Sequence, residues 1–178
     1  MGPIETVFIG IGVVLAIIGV TRGHVKEIGV MIILFTLIFL LLFLEARIMR
    51  VFTIIFGPMS TVNRLDPNNL LYFVLFSGVY LSMVYASYSG RVLDLKANQV
   101  AGTQGAFYDL LLGITNAYLI SGMVWYYLDK FQYPLPSIQL PLTATAQALI
   151  PFLPGNLFPS PFFWIVPVAI MLLLKVIG

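Results

Sequence analysis

The chain has 178 residues, 60% of them hydrophobic and only 9% charged, with a mean hydropathy of +1.02 and a formal net charge of +2. A soluble chain carries roughly 25% charged residues, so there is too little polar surface here to cover a water-soluble particle. The composition predicts an all-α, polytopic membrane protein with four or five transmembrane helices. Cysteine is absent and histidine occurs once; this excludes thiol chemistry and Cys-ligated metals, and argues against a His-built centre.

A spanning helix needs about 20 apolar residues at 1.5 Å each to cross a core of roughly 30 Å. The first such run covers residues 4–20, with Pro3 suited to an opening turn. No basic n-region or small-residue cleavage signature accompanies it, so it is expected to be retained as a span. The second run, 28–44, carries no ionisable residue. Residues 45–69 follow with Glu45, Arg47 and Arg50 and then "VFTIIFGPM", which reads as an interfacial amphipathic piece ending at Gly57-Pro58. Residues 70–89 form the third run and 105–128 the fourth.

Residues 131–160 hold six prolines and no charge. They cannot form one regular helix, and are too apolar for a disordered linker. They are expected along the membrane surface or against partner protein, with "TATAQAL" as a short helix. Residues 161–178 follow as a short transmembrane or re-entrant helix, opened by Ser160-Pro161, kinked at Pro167, with Lys175 snorkelling from its last turn. The flank Arg22 and Lys26 favours an N-terminus outside, with Arg91 and Lys96 in the other inside loop. Trp125, Tyr126, Tyr127 and Trp164 fit an interfacial aromatic belt, and Ser77, Gly78, Ser82, Ser89 and Gly90 a packing surface.

The stretch "IGVTRGHVKEIGVM" interrupts this apolar chain with Arg22, His24, Lys26 and Glu27. Read alone, it is the polar turn of a helical hairpin, with Glu27 paired locally. Gly19-x-x-x-Gly23 would permit close helix approach. In the fourth run, Gly105, Asp109, Gly113, Ala117 and Ser121 recur every four residues and form one helix stripe; Asn116 and Ser121 are candidates for bonds to a neighbouring helix. Asp109 is the sharpest intramembrane carboxylate, although near a helix start it also suits the positive dipole end. It is expected to pair with Arg22 or Lys26. The imidazole of His24 is able to ligate a haem or chlorophyll-type pigment, but at a polar turn it reads first as a boundary residue.

These two patterns resemble the colicin V production (CvpA) family of bacterial inner-membrane proteins. The first signature falls on Gly19, Arg22, Gly23, Lys26 and Glu27, and the second on Gly105, Asp109, Gly113, Ala117 and Ser121, so the resemblance covers residues 4–128. The basic residues usual in that family's second signature are Leu110 and Ile120 here. The resemblance implies a four-span core within residues 1–130, to which the Pro-rich segment and the last helix are additions.

No nucleophile–base set, P-loop or dinucleotide fingerprint is present, so an enzyme is not expected. The resemblance implies a scaffold, export accessory or assembly factor of the bacterial inner membrane. The composition also fits an accessory subunit of a large photosynthetic or respiratory complex, and more weakly a small channel or transporter. The expected partners are lipids, other membrane subunits or a second copy, without nucleic acid. No cofactor is expected; a bound lipid, carotenoid, quinone or chlorophyll-type pigment would follow only from a place in a larger complex.

Overall fold

A computed structural model describes residues 3–89 and 102–177, and the regular structure among them is entirely helical. Four helices are long and apolar enough to cross a membrane: α1 (Ile4–Arg22), α2 (His24–Phe56), α3 (Pro67–Ser89) and α4 (Thr103–Lys130). Three shorter helices follow, α5 (Ala144–Leu149), α6 (Pro154–Leu157) and α7 (Ile165–Ile177). Expectations resting on Gly90, Arg91, Lys96 and the side chain of Lys175 lie outside the described residues.

Contacts across the helices fix their directions. Phe8 stacks on Trp125 at 5.2 Å while Gly19 meets Gly113, so α1 runs antiparallel to α4. Glu27 bonds Asn116 and Glu45 bonds Tyr126, so α2 runs parallel to α4. Phe76 lies 5.3 Å from Tyr127, and the Tyr80 hydroxyl donates to the Leu119 carbonyl at 3.0 Å, so α3 descends against α4. Consecutive long helices therefore alternate in direction, and α4 is the central one. Its position explains a correction: Trp125, Tyr126 and Tyr127 are buried between helices, as is Trp164, rather than forming a lipid-facing belt. Of the serine and glycine surface on α3, Ser77 is buried, whereas Gly78, Ser82 and Ser89 face outward.

The second helix is longer than the sequence pattern indicates. Glu45, Arg47 and Arg50 do not end it; α2 runs on for 33 residues, about 50 Å, until Gly57 stops it with φ +90°. The interfacial piece is thus the end of α2 itself. A charged residue ends a lipid-embedded run but not a helix, because Glu and Arg are good helix formers.

The Pro-rich segment packs along the long helices. It does not remain at the end of the bundle. After α5, capped by the Thr143 hydroxyl accepting from the Ala146 N–H at 3.0 Å, it descends along α4 until Pro154 lies on Gly122 and the Tyr118 hydroxyl donates to the Phe152 carbonyl. A Cβ on Gly122 would stand 2.6 Å from Pro154 Cδ. A 3-10 turn (Pro161–Trp164) and then α7 follow α2 downward, with Phe162 on Phe39 and Trp164 on Phe35 from the turn and Val168 on Ile32 from α7. Pro167 is the third residue of α7, two residues after the 3-10 turn passes into the α-helix, so its missing N–H falls in the first α-helical turn. Irregular backbone is tolerated at such depth only against protein; here prolines remove donors, and side chains of Tyr118, Asn156 and Gln147 take up carbonyls.

Candidate functional site at the first helical turn

The turn between α1 and α2 is a single residue. Gly23 adopts φ +84°, which strains any L side chain, and its N–H caps the Gly19 carbonyl at 3.2 Å. The next turn starts at once, with the Glu27 N–H donating to the Gly23 carbonyl at 3.2 Å. So tight a reversal throws Arg22 and Glu27 together from opposite sides of the break.

Around Glu27 of α2 the three other long helices each contribute one side chain. Arg22 of α1 donates Nη1 to Glu27 Oε1 at 2.9 Å. Tyr88 of α3 donates its hydroxyl to Oε2 at 3.2 Å. Asn116 of α4 donates Nδ2 to the same Oε2 at 2.8 Å and to the Glu27 carbonyl at 2.9 Å. The guanidinium of Arg22 also lies 4.2 Å from the Tyr88 ring centroid, a cation–π contact that fixes its orientation. Glu27 and Asn116 are fully buried. A buried carboxylate is costly unless paired and hydrogen-bonded; this one has a cation and two neutral donors.

Glycines make the space. A Cβ on Gly19 would stand 2.6 Å from Gly113 Cα and 3.3 Å from Glu27 Oε2; one on Gly113 would stand 2.9 Å from the Ala16 carbonyl. The stripe on α4 therefore faces α1: Asp109 lies opposite Gly23, Gly113 opposite Gly19 and Ser121 opposite Gly12. Gly105 and Ala117 are buried as well. Asn116 does bond across helices, whereas the Ser121 hydroxyl donates to the Ala117 carbonyl of its own helix at 2.8 Å.

The expected ion pair of Asp109 with Arg22 or Lys26 is not formed. Asp109 Oδ1 accepts instead from the backbone N–H of His24 at 2.5 Å and lies 2.7 Å from its ring Nδ1. The physical reason is reach: Gly23 turns Arg22 towards Glu27, and the first residue of α2 presents its N–H and imidazole to Asp109. Lys26 is exposed on the outer side of α2. The His24 imidazole sits at the polar end of the bundle, with Nδ1 engaged by Asp109 and the ring 6.1 Å from that of Tyr108. Among the described residues, no group of three His, Asp or Glu side chains is placed to hold a metal ion.

Sequence reasoning missed a second polar group at the other end of the bundle. Lys130 and Glu45 form an ion pair, and Tyr126 bridges them, donating to Glu45 Oε2 at 3.2 Å and accepting from Lys130 Nζ at 3.1 Å. Tyr133, just past α4, donates to Asp129 at 2.8 Å, and burial raises its phenol above the ordinary tyrosine range. Near the start of α1, Glu5 accepts from the Thr143 hydroxyl at 2.6 Å and ties α1 to the Pro-rich segment. The available signal was weak: isolated charges at span ends, each with its partner far along the chain.

Compared with family models, with curated proteins and with solved structures, the chain matches none.

Proposed function

We propose that this chain is a non-catalytic, CvpA-like integral membrane protein that acts as a scaffold, export accessory or assembly factor of a bacterial inner membrane, with its N-terminus outside. The observation that carries the reading is the Glu27 cluster. Intramembrane ionisable groups mark a transport path when they line a cavity. Glu27 is instead fully buried, and Arg22, Tyr88 and Asn116 hold it from three other helices. The first signature thus acts as an internal lock, leaving the outer surface to carry function by contact.

One observation favours the more specific reading of an accessory subunit in a larger respiratory or photosynthetic assembly. Helix α1 packs chiefly on α4 and leaves Val7, Val13, Val14 and Ile17 each more than half exposed, while Gly10 has no neighbour within 4 Å of a built Cβ. Such a face suits lipid or the flank of another membrane protein.

The test is solubilisation of native membranes in mild detergent, followed by native separation, an absorbance spectrum and mass spectrometry of the band. Co-migration with a pigmented or haem-containing assembly supports the accessory-subunit reading. A small colourless homo-oligomer supports an autonomous scaffold. Ion or solute flux through vesicles holding the pure chain would overturn both.

A further inference from the structure

Helices α1 and α3 each pack on α4 but hardly on each other, and the seam between them holds two cavities. The first, about 430 Å³, lies where both helices start; Phe8 of α1 and Phe73 of α3 wall it, and residues 135–143 form another side. The second, about 400 Å³, continues along α1 to Ile18 and along α3 to Tyr88. Phe8, Ile11 and Val124 line both, so the two cavities meet end to end. From Ile4 to Ile18 the seam is about 21 Å long.

The wall that residues 135–143 give the first cavity is held at both ends. Arg64 donates to the carbonyls of Tyr133, Leu135 and Ile138 at 2.9, 3.3 and 3.1 Å. At the other end Thr143 is tied to Glu5 of α1. The second cavity has an apolar surface almost throughout. Among the described residues, no charged side chain lines either one.

The first cavity adds uncharged hydrogen-bonding groups. Ser137 supplies a hydroxyl and Gln139 an amide, and both residues are exposed. Thr143 supplies an oriented acceptor. Its proton goes to Glu5 Oε1 at 2.6 Å and one lone pair to the Ala146 N–H at 3.0 Å, which leaves the second lone pair for a donor. A mostly apolar cavity of a few hundred Å³ with a few placed polar groups is the usual form of a small-molecule site.

We propose that this seam binds a membrane quinone, most tightly in its reduced form, with the ring in the first cavity and the isoprenoid tail along the second. One ring hydroxyl donates to Thr143, and Ser137 and Gln139 serve the other ring oxygens. The flat ring suits the phenyl groups of Phe8 and Phe73. A phospholipid is disfavoured because its phosphate meets no free cation at either end. Arg64 is spent on carbonyls, and Arg22, one turn beyond Ile18, on Glu27. The inference goes beyond the scaffold or accessory reading and does not depend on it.

Trp125, one of two tryptophans in the chain, stacks on Phe8 at 5.2 Å and so reports on the seam. Trp164→Phe leaves it as the single emitter. Decylubiquinone is titrated into this variant in detergent, and decylubiquinol and phosphatidylglycerol are added as competitors. The expected result is saturable quenching, displaced by the quinol at lower concentration than by the quinone's own unlabelling analogue of equal tail, decylbenzene, and not by phosphatidylglycerol. Ile11→Phe, which narrows the junction of the two cavities, should weaken quinol binding at least about fivefold, the scale of one lost hydrogen bond or more. Ser137→Ala with Gln139→Leu, exposed changes that leave the fold intact, should do the same. Ile17→Phe, which lines neither cavity, should change nothing. Quenching that never saturates, or that Ile11→Phe and the Ser137/Gln139 pair leave unchanged, would show partition into detergent only and overturn the proposal. Displacement by phosphatidylglycerol as effective as by the quinol would make the seam a groove for lipid tails and overturn it too.

Discussion

Gly19 and Gly113 bring the backbones of α1 and α4 into direct contact: a Cβ added at Gly19 would stand 2.6 Å from Gly113 Cα. Backbone atoms cannot swing aside as a side-chain end can. In lipid, where van der Waals packing replaces the hydrophobic effect as the force between helices, such approach is what joins α1 to the bundle. Gly19→Leu and Gly113→Leu should each destabilise the protein by at least about 1–3 kcal/mol, the usual scale of overpacking. Gly10→Leu, on an open face, should have little effect. Thermal unfolding in detergent checks the contrast, and equal effects at positions 10 and 19 would count against the packing.

The pairing of Asp109 with His24 predicts a different partner from the one the charge pattern offers. Asp109→Ala removes the acceptor of the His24 N–H and should cost about 1–3 kcal/mol. Asp109→Asn keeps an acceptor oxygen and should cost less. Because Arg22 pairs with Glu27, combining Asp109→Ala with Arg22→Met should give effects that add, within the roughly 0.3–0.5 kcal/mol typical of independent sites. Strong coupling between positions 22 and 109 would restore the ion pair that the charge pattern offers.

The descent of the Pro-rich segment along α4 depends on two small residues. Gly122 receives the Pro154 ring and Gly155 lies against the Tyr126 ring. Gly122→Val should lift residues 150–158 off α4, and protease cleavage in that stretch should appear in vesicles where the parent chain resists. Unchanged resistance would mean that the Pro154–Gly122 contact does not hold the segment down.

Much of the fold was legible in the sequence because long apolar runs allow little else in a bilayer. All four long helices follow from them. The continuation of α2 to Phe56 was not legible, since Glu45 and Arg47 mark the end of lipid contact and not of hydrogen bonding along the helix. Nor was the depth of residues 144–157, because it rests on the fit of Pro154 to Gly122, 32 positions apart in the chain. At the candidate site, Arg22 and Glu27 were visible as neighbours, and a stripe through Asp109 and Gly113 was visible by its four-residue period. Asn116 and Tyr88 reach Glu27 from 89 and 61 residues away. Only the three-dimensional course of α3 and α4 brings them there.

The Arg22–Glu27 pair is the centre of the proposed internal lock, and a double-mutant cycle in detergent measures it most directly. Glu27→Met and Arg22→Met each strand a partner in a buried setting, at a cost of about 3–5 kcal/mol for breaking such a pair; partial exposure of Arg22 should put its share at the lower end. The double variant should recover most of that loss, because no unpaired charge remains. Two large single effects with a much smaller combined effect are the predicted result. Single variants as stable as the parent, or losses that simply add, would contradict it.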